Sequence, residues 1–146
     1  MDSNFILRTT LRANGYSYTK PRQFLFEILQ KSEPVSMNEL VVKCGGRIDR
    51  ASIYRTVDLF EKLGVIQRLQ VGWKYKLELS DAFSHHHHHL NCVKCGKVIP
   101  IAEDRSLENQ IHSLAELNDF TPNFHQLEIH GLCRDCQSQT TSALWL

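Results

Sequence analysis

Apolar residues recur at helical spacing through the first sixty positions and then alternate with polar ones. Phe5, Ile6 and Leu7 with Leu11 predict a helix over 4–14, stopped by Gly15. Thr19 suits an N-cap, with Pro21 in the first turn where a ring without an N–H is tolerated. Phe24, Leu25, Ile28 and Leu29 continue that helix to Glu33-Pro34, because the residue before proline avoids the α region. Ser36 and Glu39 form a capping box for a helix faced by Met37, Leu40 and Val41 and closed by Gly45-Gly46. Asp49 or Ser52 starts a longer helix through Ile53, Val57, Phe60 and Leu63, ended by Gly64. Residues 65–71 and 73–79 alternate as two strands around Gly72. Helices followed by a β-hairpin are the pattern of a winged helix-turn-helix.

Residues 80–84 (SDAFS) read as a short hinge. Beyond it the sequence predicts a strand at 85–90, a cysteine knuckle, a strand at 97–101 and a helix over 105–118. Leu107, Ile111, Leu114 and Leu117 lie on one side of that helix. A strand at 125–131 and a second knuckle follow. The tail after Gln137 is expected to be loosely held, with Leu144 to Leu146 against a partner surface. The chain is therefore α+β: a winged helix-turn-helix over 1–79, the hinge, a small α/β domain over 85–137 and a tail over 138–146. Its 146 residues suit one ordinary domain or two small ones. No apolar run approaches the ~20 residues that span a bilayer, and the first residues show no signal-peptide pattern, so a cytoplasmic protein is expected.

The net charge of +1 conceals a division. Residues 1–76 hold 13 Lys and Arg against 7 Asp and Glu, a net of +6; residues 77–146 hold 4 against 9, a net of −5. All eight histidines and four of the five cysteines lie in the second part. One half suits a polyanion and the other suits metal. In a helix-turn-helix the second helix presents its N-terminal residues to base edges. Ser52, Tyr54, Arg55 and Thr56 occupy that stretch, and Arg50, Arg55 and Arg22 suit phosphate. Lys74 and Lys76 share a strand face in the wing. Charge alone is equally compatible with a solvated helix face for Arg47, Arg50 and Arg55, and Tyr54 suits a half-buried core position as well as a base contact.

Cys92-x2-Cys95 and Cys133-x2-Cys136 suit one tetrahedral Zn²⁺ held by four thiolates, the 37 residues between the knuckles forming a folded insert. Two disulfides or four free thiols are the alternatives, the first disfavoured inside a cell. Such a site is closed to substrate and is structural. Cys44 stands apart as a small buried apolar residue. The run His85 to His89 reads as a tag, a low-complexity metal sponge or a ligand strand. As a strand it turns His86 and His88 to one side and His87 and His89 to the other, which supplies two ligand pairs. Glu78 can complete a site with the second pair; Glu108 and His125 can complete one with the first, with His112 a less favoured substitute. These donors suit Fe²⁺, Mn²⁺, Zn²⁺, Co²⁺ or Ni²⁺ without choosing among them.

Thr19-x-x-Arg22, ASIYRTV at 51–57, HHLNCVKCGKVI at 88–99 and EIHGLCRDC at 128–136 together resemble the ferric uptake regulator (Fur) family over about residues 4–137. The resemblance implies a homodimer, with an N-terminal winged helix and a C-terminal α/β dimerisation domain. It implies binding to double-stranded inverted-repeat operators when metal is loaded, usually to repress transcription. It implies a structural zinc on Cys92, Cys95, Cys133 and Cys136. It assigns Glu78, His87 and His89 to a hinge-spanning regulatory site and His86, Glu108 and His125 to a further one, where His88 replaces a frequent aspartate. Tyr54 and Arg55 match the DNA-contacting tyrosine and arginine. The chain departs from the family at Glu33-Pro34, where a histidine ligand is frequent, and Glu33 is the oxygen donor available in its place. Pro100 stands for a frequent acid and Ser17 for a frequent lysine. With Glu78 and Pro100 at hinge-site positions, the peroxide-sensing branch fits less well.

The expected function is a metal-responsive DNA-binding regulator, with Zn²⁺ as the structural ion and Fe²⁺, Zn²⁺ or Mn²⁺ as the regulatory one. The expected partners are an operator duplex and a second copy of the chain, with no membrane and no small-molecule substrate beyond metal ions. The alternative is a zinc-stapled DNA-binding protein that does not sense metal. An enzyme is not expected, because no HExxH occurs and no HxE precedes a PCxxC-like pattern. Metal storage leaves the basic winged helix without a purpose.

Overall fold

The computed structural model describes residues 2–139. It divides into two compact units between His85 and His86.

The first unit opens with α1 (Ser3–Ala13), α2 (Lys20–Gln30), α3 (Met37–Cys44) and α4 (Arg50–Lys62), followed by β1 (Ile66–Val71) and β2 (Lys74–Leu79). Its helix ends follow the local chemistry. The Asp2 carboxylate accepts from Asn4 N–H and starts α1 one residue before the apolar pattern suggests. Ser36 and Glu39 close a reciprocal capping box on α3, and Asp49 accepts from Ser52 N–H at 2.9 Å to cap α4. Thr19 caps α2 by backbone geometry without a side-chain hydrogen bond. Gly45 ends α3 in the left-handed conformation, at φ 58°, which costs glycine nothing. Leu7, Leu11, Leu25, Phe26, Leu40, Ile53, Val57 and Phe60 form one core, with Cys44 inside it as expected. Burial raises the Cys44 thiol pKa.

β1 and β2 pair antiparallel around Gly72, and Val35 adds a short third edge through mutual hydrogen bonds with Leu77. The segment 80–84 folds into a turn of this unit. Phe83 N–H donates to Ser80 O, and the ring of Phe83 meets Phe26 edge-on at 5.7 Å. An aromatic residue inside a presumed hinge is drawn into the nearest core.

The second unit holds β3 (His87–Cys92), β4 (Val98–Ala102), α5 (Arg105–Glu116), β5 (Glu128–Gly131) and α6 (Arg134–Gln137). The sheet order is β4-β3-β5, with β3 antiparallel to β4 and parallel to β5. The parallel pair requires a crossover, and α5 supplies it. β3 begins and ends two residues later than the sequence suggests, so the first cysteine knuckle grows directly from its end. β5 covers only the second half of the expected 125–131 strand, because His125 turns toward Glu108 instead of continuing the ladder. The second knuckle includes a short helix, α6, that its sequence did not announce. None of the residues of α5 is fully buried; Leu114 and Leu117, on the predicted apolar side, are exposed. The expectation for Leu144 to Leu146 lies outside the described residues. No helix among the described residues is long and apolar enough to cross a membrane.

Candidate metal centres and nucleic-acid face

The knuckle after β3 and the one at α6 meet. The sulfurs of Cys92, Cys95, Cys133 and Cys136 all lie within 4.8 Å of one another, with Cys95 and Cys133 at 3.7 Å. Four thiolates at ~2.3 Å around a tetrahedral ion stand about 3.8 Å apart, so the spacing fits zinc. All four are free thiols. The electrostatics are unequal. Backbone N–H groups of Cys133, then Cys95 and Lys94, pull Cys92 down to about 6 against the cost of burial. Desolvation first, and the neighbouring thiols after it, push Cys136 up to about 12. Four sulfur charges do not share this space unaided, and a divalent cation is what the donor set fits.

The histidine run supplies a second constellation. His86 and His88 turn to one side of the strand and meet Glu108 of α5 and His125 before β5. His88 Nε2 lies 2.8 Å from Glu108 Oε1, His125 Nε2 lies 3.1 Å from Glu108 Oε2, and His86 Nε2 lies 3.1 Å from His125 Nε2. Four ligand atoms thus fall within 4.8 Å of one another. Burial raises the Glu108 pKa, but the His88 hydrogen bond and the charges of His125, His86 and His88 outweigh it and hold the carboxyl below its ordinary value. The carboxylate form is the ligating form. Tetrahedral nitrogen and oxygen ligands at ~2.0–2.1 Å stand roughly 3.3 Å apart, close to these separations. His112 is exposed and is not in this group.

The opposite side of the run also behaves as a strand predicts: the His87 and His89 rings sit 4.7 Å apart. Within the first unit, Glu78 lies on β2 and accepts from Gln67 Nε2 at 2.7 Å. Glu33 is exposed on the loop before α3 and belongs to none of the ligand groups among the described residues.

The start of α2 and the first turns of α4 enclose an open groove of about 280 Å³ lined by Thr19, Pro21, Arg22, Ser52, Arg55 and Thr56. Arg55 Nη2 donates to Ser52 Oγ at 3.1 Å, which aims its guanidinium along the groove. Arg22 donates to Ser17 O and stacks near Tyr16. Thr56 is buried and forms the groove floor. Tyr54 is exposed, with Arg50 stacked 5.7 Å from its ring, so it points to solvent and not into the core. The groove has a cationic rim and a helix start on each side, an arrangement suited to a phosphate backbone.

The Ferric uptake regulator family model matches residues 13–130. The chain belongs to the ferric uptake regulator family. It is 33% identical over 141 residues to the ferric uptake regulation protein of Klebsiella pneumoniae, covering 91% of this chain and 89% of that protein. It is 29% identical over 136 residues to the peroxide-responsive repressor PerR of Staphylococcus saprophyticus, covering 90% and 89%. Its fold is similar to that of the Helicobacter pylori ferric uptake regulator Fur, whose structure is described as revealing three functional metal binding sites. The TM-score is 0.76 and the identity 25%, covering 92% of this chain and 91% of that one.

As a ferric uptake regulator family member the chain is a metal-responsive transcriptional regulator. Its family motifs are the segments that build the geometry: ASIYRTV opens α4, and the two knuckle motifs carry the sulfurs. Sequence reasoning missed Thr19 and Pro21 as groove residues. Both were legible only as a helix start, although a proline in the first turn beside a second helix start was the available signal.

Proposed function

We propose that the chain is a repressor that binds an inverted-repeat operator as a homodimer when a divalent metal is loaded. The observation that carries this reading is the convergence of His86, His88, His125 and Glu108 on one point, apart from the four-sulfur cluster. A closed four-thiolate site serves as a staple, whereas a second site of imidazoles and a carboxylate can fill and empty with supply. Cys92, Cys95, Cys133 and Cys136 hold structural Zn²⁺. His86, His88, Glu108 and His125 hold a regulatory Fe²⁺, Zn²⁺ or Mn²⁺. The resemblance adds Glu78, His87 and His89 as a further regulatory set; Glu33, which stands where the family frequently has a histidine, is the oxygen donor we propose in its place. Tyr54, Arg55, Arg22, Ser52, Thr56 and Arg50 form the DNA-reading face.

Homodimerisation is supported by the apolar side chains the second unit leaves in water: Ile99, Leu114, Leu117 and Ile129. In a dimer, two recognition helices must lie one helical turn of DNA apart, or a multiple. A metal controls this only through unequal affinity for the competent and incompetent arrangements. A gel-shift titration with protein that retains its zinc, with and without added divalent metal, tests the reading. Metal should tighten operator binding. Equal binding in both conditions leaves a zinc-stapled DNA-binding protein without sensing.

A further inference from the structure

Three imidazoles and one carboxylate meet at His86, His88, His125 and Glu108, and His88 sets that balance. Its ring is 1% exposed and the Glu108 side chain 13%, with His86 and His125 at 22% and 23%, so water has little access to the donors. The sheet around His88 is apolar. It stands opposite Ile101 of β4, and Leu90, two residues on, has Ile99 and Ile129 as neighbours on the same face. None of these sheet residues is acidic, and Glu108 reaches the group from α5. A divalent ion on three neutral imidazoles and one carboxylate therefore keeps half its charge uncompensated by its donors.

The second ring nitrogen of His88 sharpens the point. Nδ1 is buried and has no hydrogen-bond partner among the described residues. A ligating imidazole usually donates that N–H to a carboxylate or carbonyl, which raises the basicity of the nitrogen on the metal. His88 has no such support, so its bond depends on the ion's own affinity for imidazole. That affinity rises from Mn²⁺ through Fe²⁺ to Zn²⁺. Mn²⁺ suits carboxylate, carbonyl and water oxygens, of which this group supplies a single carboxylate. Zn²⁺ accepts four donors of this kind and has no d-electron preference of geometry to lose.

We infer that His88 is the residue that sets the metal specificity of this site, and that it makes Zn²⁺ the regulatory ion in preference to Mn²⁺ and Fe²⁺. The inference rests on the regulatory reading of the site and names the ion to which it answers. An oxygen donor at position 88 would exchange a borderline ligand for a hard one and move the site toward the harder ions.

The test uses full-length protein that retains its four-sulfur zinc, in a His87→Ala background that disables the other imidazole pair. Competition against a chromogenic chelator gives the affinities for Zn²⁺ and Mn²⁺, and Co²⁺ serves as an optical probe. With His88 in place, Co²⁺ should show the intense visible absorption of a four-coordinate ion, and the aqueous Mn²⁺ signal in electron paramagnetic resonance should persist when protein is added. His88→Asp should narrow the ratio of Zn²⁺ to Mn²⁺ affinity at least about tenfold. His88→Asn, which supplies a neutral oxygen, should move the ratio the same way by less. An unchanged ratio in both variants overturns the inference and leaves the regulatory site intact. Weak, six-coordinate Co²⁺ absorption with His88 in place overturns it as well, and that result needs no variant at 88 to fold. Failure of the protein to bind any divalent ion beyond its structural zinc removes the regulatory reading itself.

Discussion

His88 and Glu108, 20 residues apart on a strand and a helix, meet with Nε2 2.8 Å from Oε1, and the imidazole is 1% exposed. A histidine this buried is held for what its ring faces, and it faces the one carboxylate that also receives His86 and His125. Glu108→Ala removes that common partner. The expected result is a fall of at least about 100-fold in affinity for the regulatory divalent ion, with one zinc per chain retained. Chelator competition combined with elemental analysis measures both quantities in one sample.

The second unit should depend on its sulfur site for stability. α5 buries no residue fully, so apolar packing within the described unit is thin, and metal binding becomes folding energy. Cys133→Ser, or stripping zinc with a strong chelator, should raise hydrogen exchange throughout residues 86–137. Amides of α2 and α4, which enclose the Leu25, Phe26 and Phe60 core, should stay protected. Uniform loss of protection in both units would contradict this division of stability.

The capping box gives a pH dependence with a defined sign. The Ser36 backbone N–H, partly opposed by burial, holds the Glu39 carboxyl below its ordinary value of 4.5. A depressed folded-state value means the stabilisation is complete above about pH 4.5 and is lost as pH falls through the folded value. Glu39→Gln should therefore make acid unfolding of the winged helix less steep below that pH. Ser36→Ala should cost about 1 kcal/mol at neutral pH. Urea unfolding followed by circular dichroism at pH 7 and pH 3.5 separates the two effects.

Arg55 and Tyr54 lie on the same first turns of α4 and should fail differently. Arg55→Ala should reduce the salt slope of operator binding by about 0.9 and weaken binding across sequences, as loss of one phosphate contact does. Tyr54→Phe should leave the slope near its wild-type value if the ring, and not the hydroxyl, carries the contact. Binding isotherms at several salt concentrations measure this directly.

The parts of the molecule legible in its sequence were those governed by short-range rules. Ser36 with Glu39, Asp49 before Ser52 and Gly72 between alternating runs each act over a few residues, and the structure has each of them. The alternation of His86 and His88 against His87 and His89 was readable because a strand has a period of two. The limits of the strands were not. Where β3 ends and where β5 begins depend on long-range partners, the knuckle sulfurs for one and Glu108 for the other. Phe83 was read as part of a hinge because nothing local announces its contact with Phe26. The open direction of Tyr54 also required the fold, since helical spacing alone permits a core position.

Metal and operator should be linked energetically, and linkage is reciprocal. The affinity of zinc-retaining protein for the regulatory metal should be measured by calorimetry with and without saturating operator duplex. Duplex should tighten metal binding at least about tenfold, by the same factor by which metal tightens duplex binding. Identical metal affinity in the two titrations would contradict it.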